Sequence, residues 1–169
     1  MTTNRIVCQF SCGAASAVAT KLAIAEHGDC VLIVNAFVEE EHEDNRRFAV
    51  DCEKWFGQPI MNLRDTKYDA SAIKVFETVG YIKGPKGAAC TSRIKRGLLR
   101  TFEQPGDVLV LGYTAEEQDR YDDWLADWPD RKIIAPLIER GLTKEDCKAM
   151  VERAGLKLPA MYLLGYDNA

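Results

Sequence analysis

Apolar and polar positions along this chain follow two periods in turn. Residues 6–10 read as a strand, and residues 14–27 read as a helix with Ala15, Val18, Leu22 and Ala25 on one stripe and Gly28 as its stop. Residues 31–36 are a continuous apolar run, the signature of a strand buried on both faces of a parallel sheet. An acidic run over 39–44 leads into a helix whose apolar stripe is Phe48, Cys52, Trp55 and Phe56, ended by Gly57. Residues 59–63 read as a weaker strand, 67–80 as a stretch holding a helix around Ala72, Ile73, Val75 and Phe76, and 83–87 as a loop. Residues 91–102 read as a basic helix carrying Arg93, Lys95, Arg96 and Arg100. Pro105 and Gly106 turn the chain into a buried strand over 108–111, 115–126 is helical, and 133–135 is a last strand closed by Pro136. Thr143 is the N-cap of a final helix, with Glu145 and Asp146 in its first turn. Cys147, Met150, Val151 and Ala154 form that helix's inner face, and Gly155 is its stop.

Five strands alternating with helices predict a doubly wound α/β fold, a mainly parallel five-stranded sheet with helices on both faces. Such Rossmann-like sheets bind ligands at the carboxyl ends of their strands. Functional residues are therefore expected just after Phe10, Ala36, Leu111 and Ala135. At 169 residues the chain fits one domain with a real core. Its 47% hydrophobic and 28% charged content excludes a disordered chain, a coiled coil and a collagen-like fibre. The longest apolar stretch, 31–38, is far short of a membrane span, and residues 1–5 run into a strand rather than a signal peptide. A cytoplasmic protein without membrane contact is expected. The net charge of −4 argues against general nucleic-acid binding but leaves room for a local basic pocket.

None of the six cysteines forms a C-x-x-C pair, so neither a zinc ribbon nor a thioredoxin motif is present. Cys8, Cys30, Cys52 and Cys147 lie among apolar neighbours and are expected in the core. His27 and His42 are far apart, which leaves little material for a histidine metal site or a Ser/His/Asp triad. Glu41, His42 and Glu43 are consecutive, whereas helical ligands want i, i+3 or i+4 spacing. The run reads as a solvated loop with acids at the next helix's N-terminus, and no metal site is expected. Tyr121, Trp124 and Trp128 either stack a base or pack.

The first strand passes into its helix through Ser11-Cys12-Gly13-Ala14-Ala15-Ser16. Small residues let this backbone turn tightly, the helix N-terminus offers free N–H groups, and two serines add hydroxyls. The segment reads either as a phosphate or sulfate cradle or as a tight turn packed with small residues. It is neither a Walker loop nor G-x-G-x-x-G. Residues 11–18 resemble the PP-loop of the adenine-nucleotide alpha-hydrolase-like superfamily. They match the S-x-G-x-x-[SA]-A-V form of its phosphoadenosine-phosphosulfate reductase branch, and depart at Cys12 and Ala15 from the S-G-G-x-D-S of ATP pyrophosphatases. The resemblance continues in order. Residues 90–95 are similar to the family's cysteine-plus-basic segment, 112–120 to its G-x-x-x-x-E-x-x-R, 135–137 to its N-P-L, and 164–168 to the G-Y stretch that precedes a cysteine pair.

The resemblance implies an adenine-nucleotide-binding enzyme of sulfonucleotide-reductase type, an oxidoreductase, with a thioredoxin-like donor and a homodimer among its expected partners. It places substrate on Ser11, Cys12, Gly13, Ala14, Ser16, Arg93, Lys95, Gly112, Glu117 and Arg120, and makes Cys90 the catalytic thiol. Residues 1–169 are then a single PP-loop domain, similar to short phage-encoded members, lacking the family's C-terminal cysteine tail. The paired cysteines of an iron–sulfur cluster are absent, so no cluster is expected. Two alternatives stand beside this reading: an ATP-using PP-loop enzyme, which would need Mg²⁺, and a nucleotide-binding module without turnover. The physics of the pieces is separate from the resemblance. Arg93 and Lys95 do not share a helix face, so both reach an anion only if the helix N-terminus points at it. A thiol at that N-terminus, Cys90, is expected to have a lowered pKa. Glu117 and Arg120, at i and i+3, form either a surface pair or a cleft arginine held by its carboxylate.

Overall fold

The computed structural model describes residues 5–85 and 87–167. The opening residues 1–4, Lys86 of the 83–87 loop, and Asn168 of the closing Gly-Tyr stretch lie outside the described residues. Five strands form one all-parallel sheet: β1 (Ile6–Gln9), β2 (Val31–Ala36), β3 (Ile60–Leu63), β6 (Val108–Val110) and β7 (Lys132–Ile134), in the order β3-β2-β1-β6-β7. Two short strands, β4 (Lys83–Gly84) and β5 (Gly87–Ala88), pair as an antiparallel hairpin where the sequence predicts a loop. Helices α1 (Ala14–His27) and α2 (Asp44–Phe56) link the first three strands, and α3 (Ala72–Val79) follows β3. A π-helical turn, Thr91–Arg96, runs straight into α4 (Gly97–Phe102). A 3₁₀ turn, Ala115–Glu117, leads into α5 (Gln118–Asp127). Beyond β7 come α6 (Pro136–Glu139), α7 (Lys144–Arg153) and α8 (Ala160–Leu163). Among the described residues no helix is long and apolar enough to cross a membrane.

Alternation along the strands divides the core. Ile6, Cys8, Val31, Ile33, Ile60 and Val110 pack against α1, α2 and α7 through Ala17, Val18, Phe48, Cys52, Cys147 and Val151. Val7, Val34 and Leu109 point the other way, against Leu99, Phe102 and Trp124 of α4 and α5. This is the doubly wound α/β architecture, and it explains why residues 31–36 read as continuously apolar. A smaller cluster of Val38, Tyr68, Val75, Ala89 and Ile94 fastens α3 to the π-helical turn.

Several sequence expectations are corrected. Burial on α1 is not confined to the stripe Ala15, Val18, Leu22 and Ala25. Ser16, Ala17, Ala19, Thr20 and Ala23 are buried and Ala25 is exposed, because sheet, α2, α6 and α7 enclose the helix from several sides. Cys8, Cys52 and Cys147 are core residues, but Cys30 is exposed at the end of a surface 3₁₀ turn, Gly28–Cys30. Ala154 is exposed because α7 ends one residue before it.

The cap of α7 is as expected. Thr143 Oγ1 accepts from the Asp146 amide at 3.1 Å, and Asp146 Oδ2 accepts from the Thr143 amide at 2.9 Å. Thr143→Ala is expected to cost about 1 kcal/mol and lower Tm by roughly 2–4 °C. Calorimetric melting of the variant checks this, and an unchanged Tm would mean the cap contributes nothing.

Candidate anion-binding site

The sheet reverses its strand order between β1 and β6, since the chain leaves β1 toward β2 on one side and returns to β6 on the other. A crevice at the carboxyl ends of these two strands is the expected ligand position. A cleft of about 340 Å³ lies there. Its lining includes Ser11, Gly13, Ala14, Ser16, Gly112, Glu117 and Arg120, all expected from the sequence. Arg96, Lys144, Lys148 and Tyr162 line it as well.

The loop after β1 is stitched to the first turn of α1. Ser16 Oγ accepts from the Ser11 amide at 3.1 Å and donates to the Gly13 carbonyl at 3.0 Å. The Ala14 amide donates to the Tyr162 hydroxyl at 2.9 Å. The loop after β6 presses on the same turn: a Cβ at Gly112 would lie 2.9 Å from both Ser16 Cα and Ser16 N. That close approach explains the glycine.

Cys12 is turned out of the cleft. Its φ of 60° is left-handed, and its side chain is buried toward Phe10, Phe48 and Cys52. Burial pushes its thiol up to about 12, with Glu41 adding to the rise and Lys95 opposing it. It does not line this cleft. Cys8 and Cys147 are likewise pushed up to about 12 by burial, and Cys52 is raised for the same reason.

The π-helical turn changes which basic residues face the cleft. The Gly97 amide bonds to the Ser92 carbonyl, i to i−5, so positions are rotated relative to a 3.6-residue helix. Arg93 is exposed and does not line the cleft. Lys95 is tied to Glu41 instead. Arg96 takes the place expected for both. Cys90 packs against the Val38–Val75–Ile94 cluster, and no cysteine lines the cleft.

Glu117 completes a capping box with Thr114, whose amide donates to Glu117 Oε2 at 3.2 Å, and it pairs with Arg120. The guanidinium of Arg120 lies 5.1 Å over the Tyr113 ring. The capped carboxylate therefore orients an arginine that faces the cleft. From α7, Lys144 and Lys148 are i and i+4 on one face, a spacing visible in the sequence, and Lys148 Nζ lies 5.2 Å over the Tyr162 ring.

The acidic run is not simply solvated. Glu40 caps α3 by accepting from the Ala72 amide at 2.8 Å, Glu41 holds Lys95, and Glu39 pairs with Arg64 and Arg46. No group of three His, Cys, Asp or Glu side chains converges as a metal ligand set among the described residues. The tryptophans stack on arginines. Arg100 lies 4.4 Å over Trp128, which ties α4 to the end of α5, and Arg131, just before β7, lies 5.3 Å over Trp124.

A second cavity, of about 250 Å³, lies at the carboxyl ends of β2 and β3 on the other side of the same loop. Cys12, Asn35, Val38, Asn45, Ile60 and Asn62 are among its walls. Asn35 Nδ2 donates to Asn62 Oδ1 at 3.0 Å. Asn45 is 3% exposed, and its carboxamide has no hydrogen-bond partner among the described residues. Buried carboxamides are nearly always satisfied, so this one has unmet capacity for a ligand or an ordered water. At the end of β7, Pro136 and Leu137 are buried as α6 begins.

No family model matches the chain, and no curated protein matches it.

Proposed function

We propose that this protein binds an adenine nucleotide at the β1/β6 switch point, with a sulfuryl or phosphoryl group in the cleft, as in sulfonucleotide reductases. The observation that carries this reading is the convergence of Arg96, Arg120, Lys144 and Lys148 on the serine-lined start of α1. Anions are stabilised there by cations and by the helix N-terminus together. The second cavity supports a base on the other side of the Cys12 loop, since a carboxamide such as that of Asn45 can pair with an adenine edge.

Calorimetry with phosphoadenosine phosphosulfate, adenylyl sulfate, ATP and adenosine 3′,5′-bisphosphate tests the reading. Arg96→Ala and Arg120→Ala are each expected to weaken binding about tenfold, as loss of a charge-assisted bond should. Arg93→Ala should leave it unchanged. Failure of every adenine nucleotide to bind the native chain would sink the proposal.

The cysteine-free lining of the cleft favours one second reading, a nucleotide-binding module without turnover. Thioredoxin-dependent sulfite release from phosphoadenosine phosphosulfate separates the two. Release that survives Cys90→Ser would remove Cys90 as the reacting thiol.

A further inference from the structure

A second groove, of about 300 Å³, runs between α4 and α5 over Leu109 and Leu111. Gln9, Arg96, Leu111, Tyr113 and Arg120 line both this groove and the cleft, so the two spaces are continuous. The groove stays open because α5 buries none of its residues. Some of its polar groups are satisfied internally. Gln9 Nε2 donates to Glu103 Oε1 at 3.0 Å, and Glu103 pairs with Arg131. Other charges are left over. Ion pairs engage Arg120 and Arg131, but among the described residues none engages Arg96, Arg100, Asp123 or Asp127. Arg96 and Arg100 stand at i and i+4 on the α4 side, and Asp123 and Asp127 at i and i+4 on α5. Opposite charges thus line the two walls of one groove without closing on each other. Arg100 is anchored 4.4 Å over the Trp128 ring. A stacked guanidinium keeps its N–H fork for a carboxylate. A simple anion would meet the aspartates and a simple cation the arginines, whereas a ligand with a carboxylate and an ammonium group suits both walls. Among the described residues no cysteine lines either space. A thiol that reduces a sulfuryl group in the cleft therefore has to arrive with a second reactant.

We infer that the α4–α5 groove binds a small zwitterionic thiol, free cysteine or a cysteinyl peptide such as glutathione, as co-substrate to the nucleotide in the cleft. This rests on the nucleotide reading given above and adds a second site to it. Arg96 and Arg100 take the carboxylate, Asp123 and Asp127 take the ammonium group, and the thiol enters the cleft past Tyr113. The chemistry balances with two thiols. The first, as thiolate, forms an S–S bond to the sulfuryl sulfur, while the S–O bond breaks and its electron pair leaves with the nucleotide's phosphate. A second thiolate then attacks the sulfur of the first, which forms a disulfide and expels sulfite. Two thiols are oxidised to one disulfide, the sulfuryl group is reduced to sulfite, and both thiol protons pass to water.

The test is calorimetry on the native chain, without nucleotide, using cysteine, glutathione, 3-mercaptopropionate and cysteamine. The last two carry only the carboxylate or only the ammonium group. Cysteine or glutathione is expected to bind at least about tenfold more tightly than either, and the ratio between them tells the free amino acid from the peptide. Arg100→Gln and Asp123→Asn are each expected to weaken that binding about tenfold. Both residues are exposed, so the fold tolerates either change. Zwitterion binding no tighter than that of the single-charge thiols, or binding that survives both substitutions, would overturn the inference. The second readout is sulfite release from phosphoadenosine phosphosulfate or adenylyl sulfate with cysteine or glutathione as the sole reductant, reduced about tenfold at subsaturating thiol by Arg100→Gln. No release with these thiols would overturn the co-substrate role. If no adenine nucleotide binds, the nucleotide reading fails and the co-substrate role falls with it, while the thiol titration still decides the groove.

Discussion

Gly112→Ala is expected to destabilise the protein by about 2–3 kcal/mol and to abolish nucleotide binding. The added Cβ would lie 2.9 Å from Ser16 Cα and N and 3.2 Å from the Ala15 carbonyl carbon. These are all backbone atoms of α1, so no side chain can rotate away. Relief requires the loop after β6 to separate from α1, and the rest of the helix is locked among Ala17, Val18 and the sheet. Overpacking of this kind costs about 1–3 kcal/mol or more, and the 2–3 kcal/mol expected here corresponds to a Tm loss of roughly 4–12 °C in a chain of this size. The same separation pulls Arg120 and the Thr114–Glu117 cap away from Ser11 and Ser16, which opens the cleft. Gly155→Ala is the control. It sits at φ +82° with open space around its would-be Cβ, so its cost is backbone strain of about 1–2 kcal/mol and nucleotide binding should be unaffected. Normal binding by Gly112→Ala would show that the two loops move independently.

The elements that a period of two or 3.6 describes were legible. α1 runs from the small residues after Ser11 to Gly28, and α2 ends at Gly57, because apolar spacing and glycine stops are local properties. The same holds for the β1 and β6 strand ends, where Ser11, Ser16, Gly112 and Arg120 were expected and are found together. What escaped was set by non-local geometry. A π-helical turn looks like any helix in sequence, so Arg93 and Lys95 were expected where Arg96 stands. Cys12 is aimed by a left-handed φ that its sequence neighbours do not announce. Tyr162 belongs to a four-residue helix too short to show periodicity, and it reaches Ala14 across 148 residues of chain. Its position is decided by a contact with α2, which has no signature near Tyr162 itself.

That contact leads to the second large effect: Asp44→Ala is expected to cost about 2–3 kcal/mol and to weaken nucleotide binding, because it loosens the segment that sets Tyr162 in the wall of the cleft. Arg47 donates to Asp44 from Nε at 2.6 Å and from Nη2 at 2.9 Å. Asp44 Oδ2 also accepts from the Ala160 amide at 2.8 Å, and Arg47 reaches the carbonyls of Lys157 and Leu158. The pair thus ties residues 157–160 to α2 and sets where α8 presents Tyr162. Charge-assisted bidentate bonds in a partly buried site are the strong kind, and losing one partner leaves the other exposed to its desolvation cost. The pH dependence follows from the same bonds. Donation by Arg47, aided by the Ala160 amide and opposed by burial, holds the Asp44 carboxyl at about 2 rather than its usual 3.8. A depressed carboxylate pKa stabilises the fold above the unfolded value and loses that contribution as pH falls through the folded one. The gap in Tm between the native chain and Asp44→Ala should therefore be full near neutrality and shrink between about pH 4 and pH 2. Other paired carboxylates, such as Asp107 with Arg5, titrate in both proteins and cancel in the difference. A gap that stays constant across this range would mean the carboxylate charge is not what holds the segment. Unchanged nucleotide affinity in Asp44→Ala would mean that α8 keeps Tyr162 in place without the tether.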